Sequence, residues 1–195
     1  MILTNMSSLF SDDIDDIVFG INEAKFTVNW YYNADQRTTE MLNEVKGDII
    51  TICSFWSGKT YVGSPKHPRI KSAFQSFFED LMRLLLKMKD GDNNEERAFA
   101  TSLLFRGKVY RYLGSDAPNK KIVKPHYDRI YVSWSKLPEN SYLLNKLYGK
   151  ITWISCEIEY PFYGIDIDAL GCSRGNEQEV VFPTIKECVR EINYI

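Results

Sequence analysis

The sequence predicts an α+β fold with a mainly helical N-terminal part and a C-terminal part that is mainly sheet. Three observations point there. Residues 70–89 carry apolar side chains at helical spacing, and beyond Thr101 the chain changes to short runs rich in β-branched and aromatic residues. A hydrophobic share of 44% with 14% aromatics supplies a core that a disordered chain would lack. At 195 residues the expectation is a single domain, 1–195, with residues 1–100 mainly helical and 101–195 rich in strand.

Residues 1–36 hold an acidic patch followed by Phe26, Thr27, Val28, Asn29, Trp30, Tyr31 and Tyr32, whose alternation suggests a short strand. In residues 39–56, Met41, Val45, Ile49, Ile52, Cys53 and Trp56 follow helical spacing, although residues 49–55 also have the β-branched content of a strand. Gly58 would stop either element. Residues 70–89 place Ala73, Phe74, Phe77, Phe78, Leu81, Leu84, Leu85 and Met88 on one broad face, which reads as core packing, and Gly91 follows the last basic turn. Residues 90–96 read as a polar loop. Strands are expected over 103–112, 129–134, 151–158 and 179–182, with turn residues at 114–116 and 171–176 and a short helix over 142–148. There is no internal repeat.

Charge is uneven. Residues 1–50 hold nine acidic against three basic side chains, residues 104–150 ten basic against three acidic, and residues 151–195 eight acidic against three basic. The basic middle, with Lys120, Lys121 and Lys124, suits phosphate or a solvated surface. It has no motif that reads RNA or DNA, so nucleic acid is not an expected partner. Cys53, Cys156, Cys172 and Cys188, with His67 and His126, show no metal-ligand spacing, so no metal centre is expected. No stretch reaches the roughly 18 apolar residues of a membrane span, and no signal peptide is visible. The expectation is a soluble cytoplasmic protein with reduced thiols and no membrane partner.

Three short features occur in order on the β-like runs: Phe105-Arg106-Gly107, Ser133-Trp134-Ser135, and Glu177-Gln178-Glu179 followed by Val180, Val181, Phe182 and Pro183. Separately each is ordinary. An Arg-Gly on a strand is commonly a surface ion pair beside a bulge, Ser-x-Ser an edge strand meeting a loop, and Glu-x-Glu a solvated face. Together, and in this order, they make residues 100–185 resemble the arginine-serine-glutamate class of mono-ADP-ribosyltransferases, the cholera-toxin-like class. Gly164-Ile165-Asp166-Ile167 is similar to a turn that the family carries before its catalytic loop. Trp134 departs from the small Thr usual between the two serines.

The resemblance implies N-terminal helices packed on a mostly antiparallel ADP-ribosyltransferase core of two small sheets, with a central NAD cleft. Arg106 would clamp the diphosphate, Ser133 would position, and Glu179 would stabilise the reacting ribose. Gly107, Trp134 and Ser135 would complete the NAD site. In the family an acid at the position of Glu177 goes with arginine as acceptor, and the loop over residues 170–176 contacts the target protein. Chemistry agrees with these roles, since guanidinium grips two phosphate oxygens and a carboxylate stabilises oxocarbenium character. A carboxylate also orients a guanidine nucleophile and takes its proton. NAD and a target protein are the implied partners, with NAD as substrate. The alternatives are an NAD glycohydrolase and a non-catalytic binding module of the same fold. A bacterial toxin, a phage enzyme, or an effector delivered into a host cell without an N-terminal signal peptide all suit this reading.

Overall fold

In the computed structural model the described residues are 9, 11, 13–58, 68–114, 130–137, 152–172, 178–184 and 192–194. The chain divides into two compact units, Met1–Thr101 and Ser102–Ile195. The first is helical: α1 (Ile14–Asn33), α2 (Thr39–Gly58), α3 (Pro68–Lys89) and α4 (Asn94–Leu103). The second holds β1 (Leu104–Phe105), β2 (Gly107–Gly114), β3 (Ile130–Ser135), β4 (Thr152–Ile158), β5 (Gly164–Asp166), β6 (Glu179–Thr184) and β7 (Ile192–Tyr194). The mixed α+β class is as expected.

Where a strand was expected over residues 26–32, the chain continues α1. The Asp13 side chain accepts from the backbone N–H of Asp15 at 2.8 Å and of Asp16 at 3.3 Å, and Asp15 and Asp16 sit favourably at the positive end of the helix. Burial then falls on Ile17, Ile21, Ala24, Val28 and Tyr31, a helical spacing that outweighs the local alternation. The acidic patch is thus the start signal of the helix. Helical spacing wins in α2 as well, where Leu42, Val45, Ile49, Ile52 and Cys53 are buried. Thr38 begins that helix, its hydroxyl accepting from Met41 N at 3.2 Å.

α3 buries the stripe from Ile70 to Met88 that its sequence announces. Phe74 and Phe78 meet the edge of Trp56 at 4.8 and 5.2 Å between centroids, so Phe78→Ala would cost about 3–5 kcal/mol. α1 is tied to α3 by Asn29 Nδ2 donating to Asp80 Oδ2 at 2.7 Å and Lys25 Nζ donating to Ser76 Oγ at 2.5 Å. The expected loop at 90–96 is shorter than read, because Asn93 Oδ1 accepts from Glu96 N at 3.0 Å and starts α4. Glu96 itself is buried and accepts from the Tyr31 hydroxyl at 2.7 Å, with Arg37 NH1 3.0 Å away. Burial first, and then that bond, push the Tyr31 phenol above its ordinary value.

The described strands form one hydrogen-bonded sheet, in the order β1-β5-β6-β3-β2-β4-β7, where two small sheets were expected. Among the described residues every pairing is antiparallel. The reason lies at Gly107, whose φ of +137° turns the chain out of β1, which pairs with β5, and into β2, which pairs with β4 and β3. A Cβ there would stand 3.3 Å from the Phe105 ring, so glycine fits both the angle and the space. One continuous path therefore serves an edge and an interior strand, and the sheet nearly closes on itself. Gly164-Ile165-Asp166, expected as a turn, is strand β5 with all three residues buried.

Val109, Trp134, Cys156, Ile158, Val180 and Phe182 form the core of this unit. Trp134 lies opposite Val180, so the face of β3 and β6 that carries this pair meets the core. The expected helix over 142–148 lies outside the described residues.

Candidate active site

Register sets out the other face. Ser155 on β4 lies opposite Tyr110 on β2, Tyr110 opposite Ser135 on β3, and Ser135 opposite Glu179 on β6. Directly opposed residues share a face, so a polar row crosses four strands. Ser155, Ser135 and Glu179 are buried, with Glu179 only 5% exposed. A carboxylate so deep is stable only with hydrogen-bond donors. Ser133, two residues before Ser135 and on the same face, donates its hydroxyl to Glu179 Oε1.

The three features expected to work together thus fall on neighbouring strands. β6 starts at Glu179, β3 carries Ser133 and Ser135, and β2 starts at Gly107 directly after Arg106. Arg106 is exposed and stands four residues before Tyr110, roughly 13 Å along the strand from the polar row. Its Nε donates to the Phe162 carbonyl at 2.9 Å, and its guanidinium lies 3.8 Å from the Tyr163 ring centroid and 5.1 Å from that of Tyr160. That grip fixes the plane of the guanidinium.

Trp134 does not join this face. Its indole is buried in the core, 5.6 Å from Phe182 between centroids, and its Nε1 has no hydrogen-bond partner among the described residues. Strand alternation sends it away from Ser133 and Ser135, which is why a bulky residue fits between two serines. Ser135 Oγ accepts from Leu137 N at 3.1 Å and bends the chain out of β3. Glu177 and residues 173–176 of the loop expected to contact a target lie outside the described residues, as do His67, His126, Lys120, Lys121, Lys124 and Cys188.

Sequence reasoning missed Lys136. Its N–H donates to the Gln178 carbonyl at 3.0 Å, and its ammonium reaches Asp166 Oδ2 at 3.0 Å and Asp168 Oδ2 at 3.1 Å. One residue therefore holds the end of β5 and the peptide just before Glu179. Burial disfavours its charge, but the two aspartates outweigh this and hold the ammonium above its ordinary range. Gln178 has φ +46°, a left-handed conformation uncommon for a side chain of its size, and turns the chain sharply into β6. The short strand β5 gave no periodic signal, so Asp166 could not be placed from sequence.

No protein-family model, curated protein or solved structure matches this chain. The chemistry of the site is therefore argued from its own residues. A buried carboxylate held by a hydroxyl suits stabilisation of positive charge developing on a substrate, and an oriented guanidinium on the same strand system suits an anion. Among the described residues there is no cluster of His, Cys, Asp and Glu arranged for a metal ion. No described helix is long and apolar enough to cross a membrane. Cys53, Cys156 and Cys172 are buried free thiols.

Proposed function

We propose that this protein transfers ADP-ribose from NAD to an arginine side chain of a target protein and releases nicotinamide. The observation that carries the reading is the hydrogen bond from Ser133 to the buried Glu179. Two of the three motifs, 46 residues apart in the chain, converge there on adjacent strands, and the third leads into the next strand over. The family resemblance supplies the substrate.

In the proposed reaction the bond between nicotinamide nitrogen and ribose C1′ breaks, and its electron pair leaves with nicotinamide, which becomes neutral. Positive charge grows on the ribose and Glu179 stabilises it more in the transition state than in NAD. Ser133 orients that carboxylate. Arg106 and the close backbone approach at Gly107 hold the diphosphate. A guanidine nitrogen then bonds to C1′ and loses a proton, for which Glu177 is the acceptor.

Incubation with labelled NAD and a cell lysate tests this, with Glu179→Ala as control. Labelled protein that disappears in the variant is expected, and mass spectrometry should place the label on arginine. Absence of both labelled protein and free nicotinamide with the wild type would overturn the reading. Free nicotinamide without labelled protein would favour NAD hydrolysis instead. Glu177→Gln should remove transfer while sparing NAD cleavage.

A further inference from the structure

We infer that Arg111 is a positioning residue for the Ser133–Glu179 pair, an inference that rests on the transferase reading above. Its guanidinium donates through NH1 to the backbone carbonyl of Ser133, the residue whose hydroxyl donates to Glu179. A chain of two hydrogen bonds thus runs from β2 through Ser133 to the carboxylate.

The sheet shows what the contact joins. β2 pairs with β4 from Gly107↔Ile158 to Gly114↔Thr152, β3 pairs with β6 from Ile130↔Thr184 to Ser135↔Glu179, and β2 meets β3 at Tyr110↔Ser135. The Ser133 carbonyl is part-buried, where an acceptor needs a donor. Arg111 supplies one from β2 with its side chain. Arg111 is two residues beyond Val109 and shares its core-facing side of β2, so it reaches the β3 backbone from the face opposite Glu179. It acts on the carboxylate through Ser133, not by touching substrate.

A cationic donor suits this task better than a neutral one, because a charge-assisted bond to a carbonyl is short and strong. Guanidinium also keeps its plane while donating, which fixes the carbonyl direction and with it the Ser133 side chain. Misplacing a group on which chemistry depends by about 1 Å lowers the rate on the order of 100-fold. Ground-state binding of NAD does not need that alignment, so the loss should fall on kcat.

The test compares wild type, Arg111→Met and Arg111→Lys in the full chain by two measurements. Amide hydrogen exchange is followed over residues 130–137 and 178–184, with α3 as internal reference. Cleavage of NAD is followed for kcat and KM separately. In Arg111→Met, exchange over both segments should quicken relative to α3, kcat should fall on the order of 10- to 100-fold, and KM for NAD should stay within about twofold. Arg111→Lys, which keeps the charge and a donor, should recover part of kcat. Unchanged exchange and kcat in Arg111→Met overturn the inference. So does a rise in KM at constant kcat, which would make Arg111 a substrate ligand. If Arg111→Met does not fold, Arg111→Lys decides: reduced kcat at unchanged KM supports the inference, and wild-type kcat overturns it. Wild type that leaves NAD intact while exchange quickens as expected removes the transferase reading and keeps Arg111 as the donor that fixes β3.

Discussion

Adding one methyl group at Gly164 should destabilise the strand-rich unit measurably, because the space for it is already taken. A Cβ on Gly164 would lie 2.7 Å from Val180 Cγ1, 2.8 Å from Phe182 Cδ1 and 3.0 Å from Ile158 Cδ1. Carbons settle at about 3.5–4.0 Å, so the methyl intrudes by roughly 0.5–0.8 Å on three neighbours at once. All three belong to the buried core, where a shift of one side chain presses on the next. Overpacking of this kind costs about 1–3 kcal/mol. Removing a glycine from the unfolded chain returns about 0.4–1 kcal/mol, which at the middle of both ranges leaves Gly164→Ala destabilised by about 1.3 kcal/mol. With a mid-range urea slope of about 2 kcal/mol per molar, the unfolding midpoint should drop by roughly 0.6 M at unchanged slope. Tryptophan fluorescence is a suitable signal, since Trp134 lies in the strained core. Gly47 on α2 is the internal control, as nothing lies within 4 Å of its added Cβ and Gly47→Ala should stabilise by about 0.5–1 kcal/mol. A Gly164→Ala midpoint equal to or above wild type, while Gly47→Ala behaves as stated, refutes the packing argument. The site should respond too, because Val180 follows Glu179 directly and Gly164 pairs with Phe105 beside Arg106.

Other side chains give independent tests. If the protein cleaves NAD as proposed, Ser133→Ala removes the donor to Glu179 and should lower that rate about 100-fold with little loss of stability, read by initial rates beside a urea titration. Tyr31→Phe takes away the hydroxyl that Glu96 accepts and should cost about 1–3 kcal/mol in urea, whereas an equal midpoint would show that Arg37 alone satisfies that carboxylate. Lys136→Met leaves Asp166 and Asp168 without their shared cation and should cost about 1 kcal/mol at neutral pH. Because the folded ammonium titrates above the ordinary lysine value of 10.5, its stabilisation is complete below that pH and fades as pH rises through the higher folded value. Wild type should therefore lose more stability than Lys136→Met over that alkaline range, and parallel curves would contradict the assignment.

Legibility in the sequence followed the length and regularity of each pattern. α3 was plain because nine buried positions repeat at helical spacing over 22 residues. Residues 26–32 of α1 suggest a strand because seven residues alternate locally, whereas the decisive signal, Asp13 capping the helix, lies outside that window. α4 hid behind polar residues whose role is to start it, Asn93 and Glu96. β5 and β7, of three residues each, are too short to carry any period and exist through their partners.

By itself, the sequence determined the helical first half, the strand-rich second half and the identity of the residues worth placing together: Arg106, Ser133 and Glu179. Local rules suffice for that, since periodicity, capping and residue chemistry act within a few neighbours. Only the tertiary structure decided that the strands join in one sheet and that Ser133 meets Glu179 across a seam 46 residues apart in sequence. It alone turned Trp134 into the core and brought Lys136 and Arg111 to the support of the site. The physical reason is that strand order and register are set by pairings between distant segments, and a shift of one residue would have exchanged the two faces of β3.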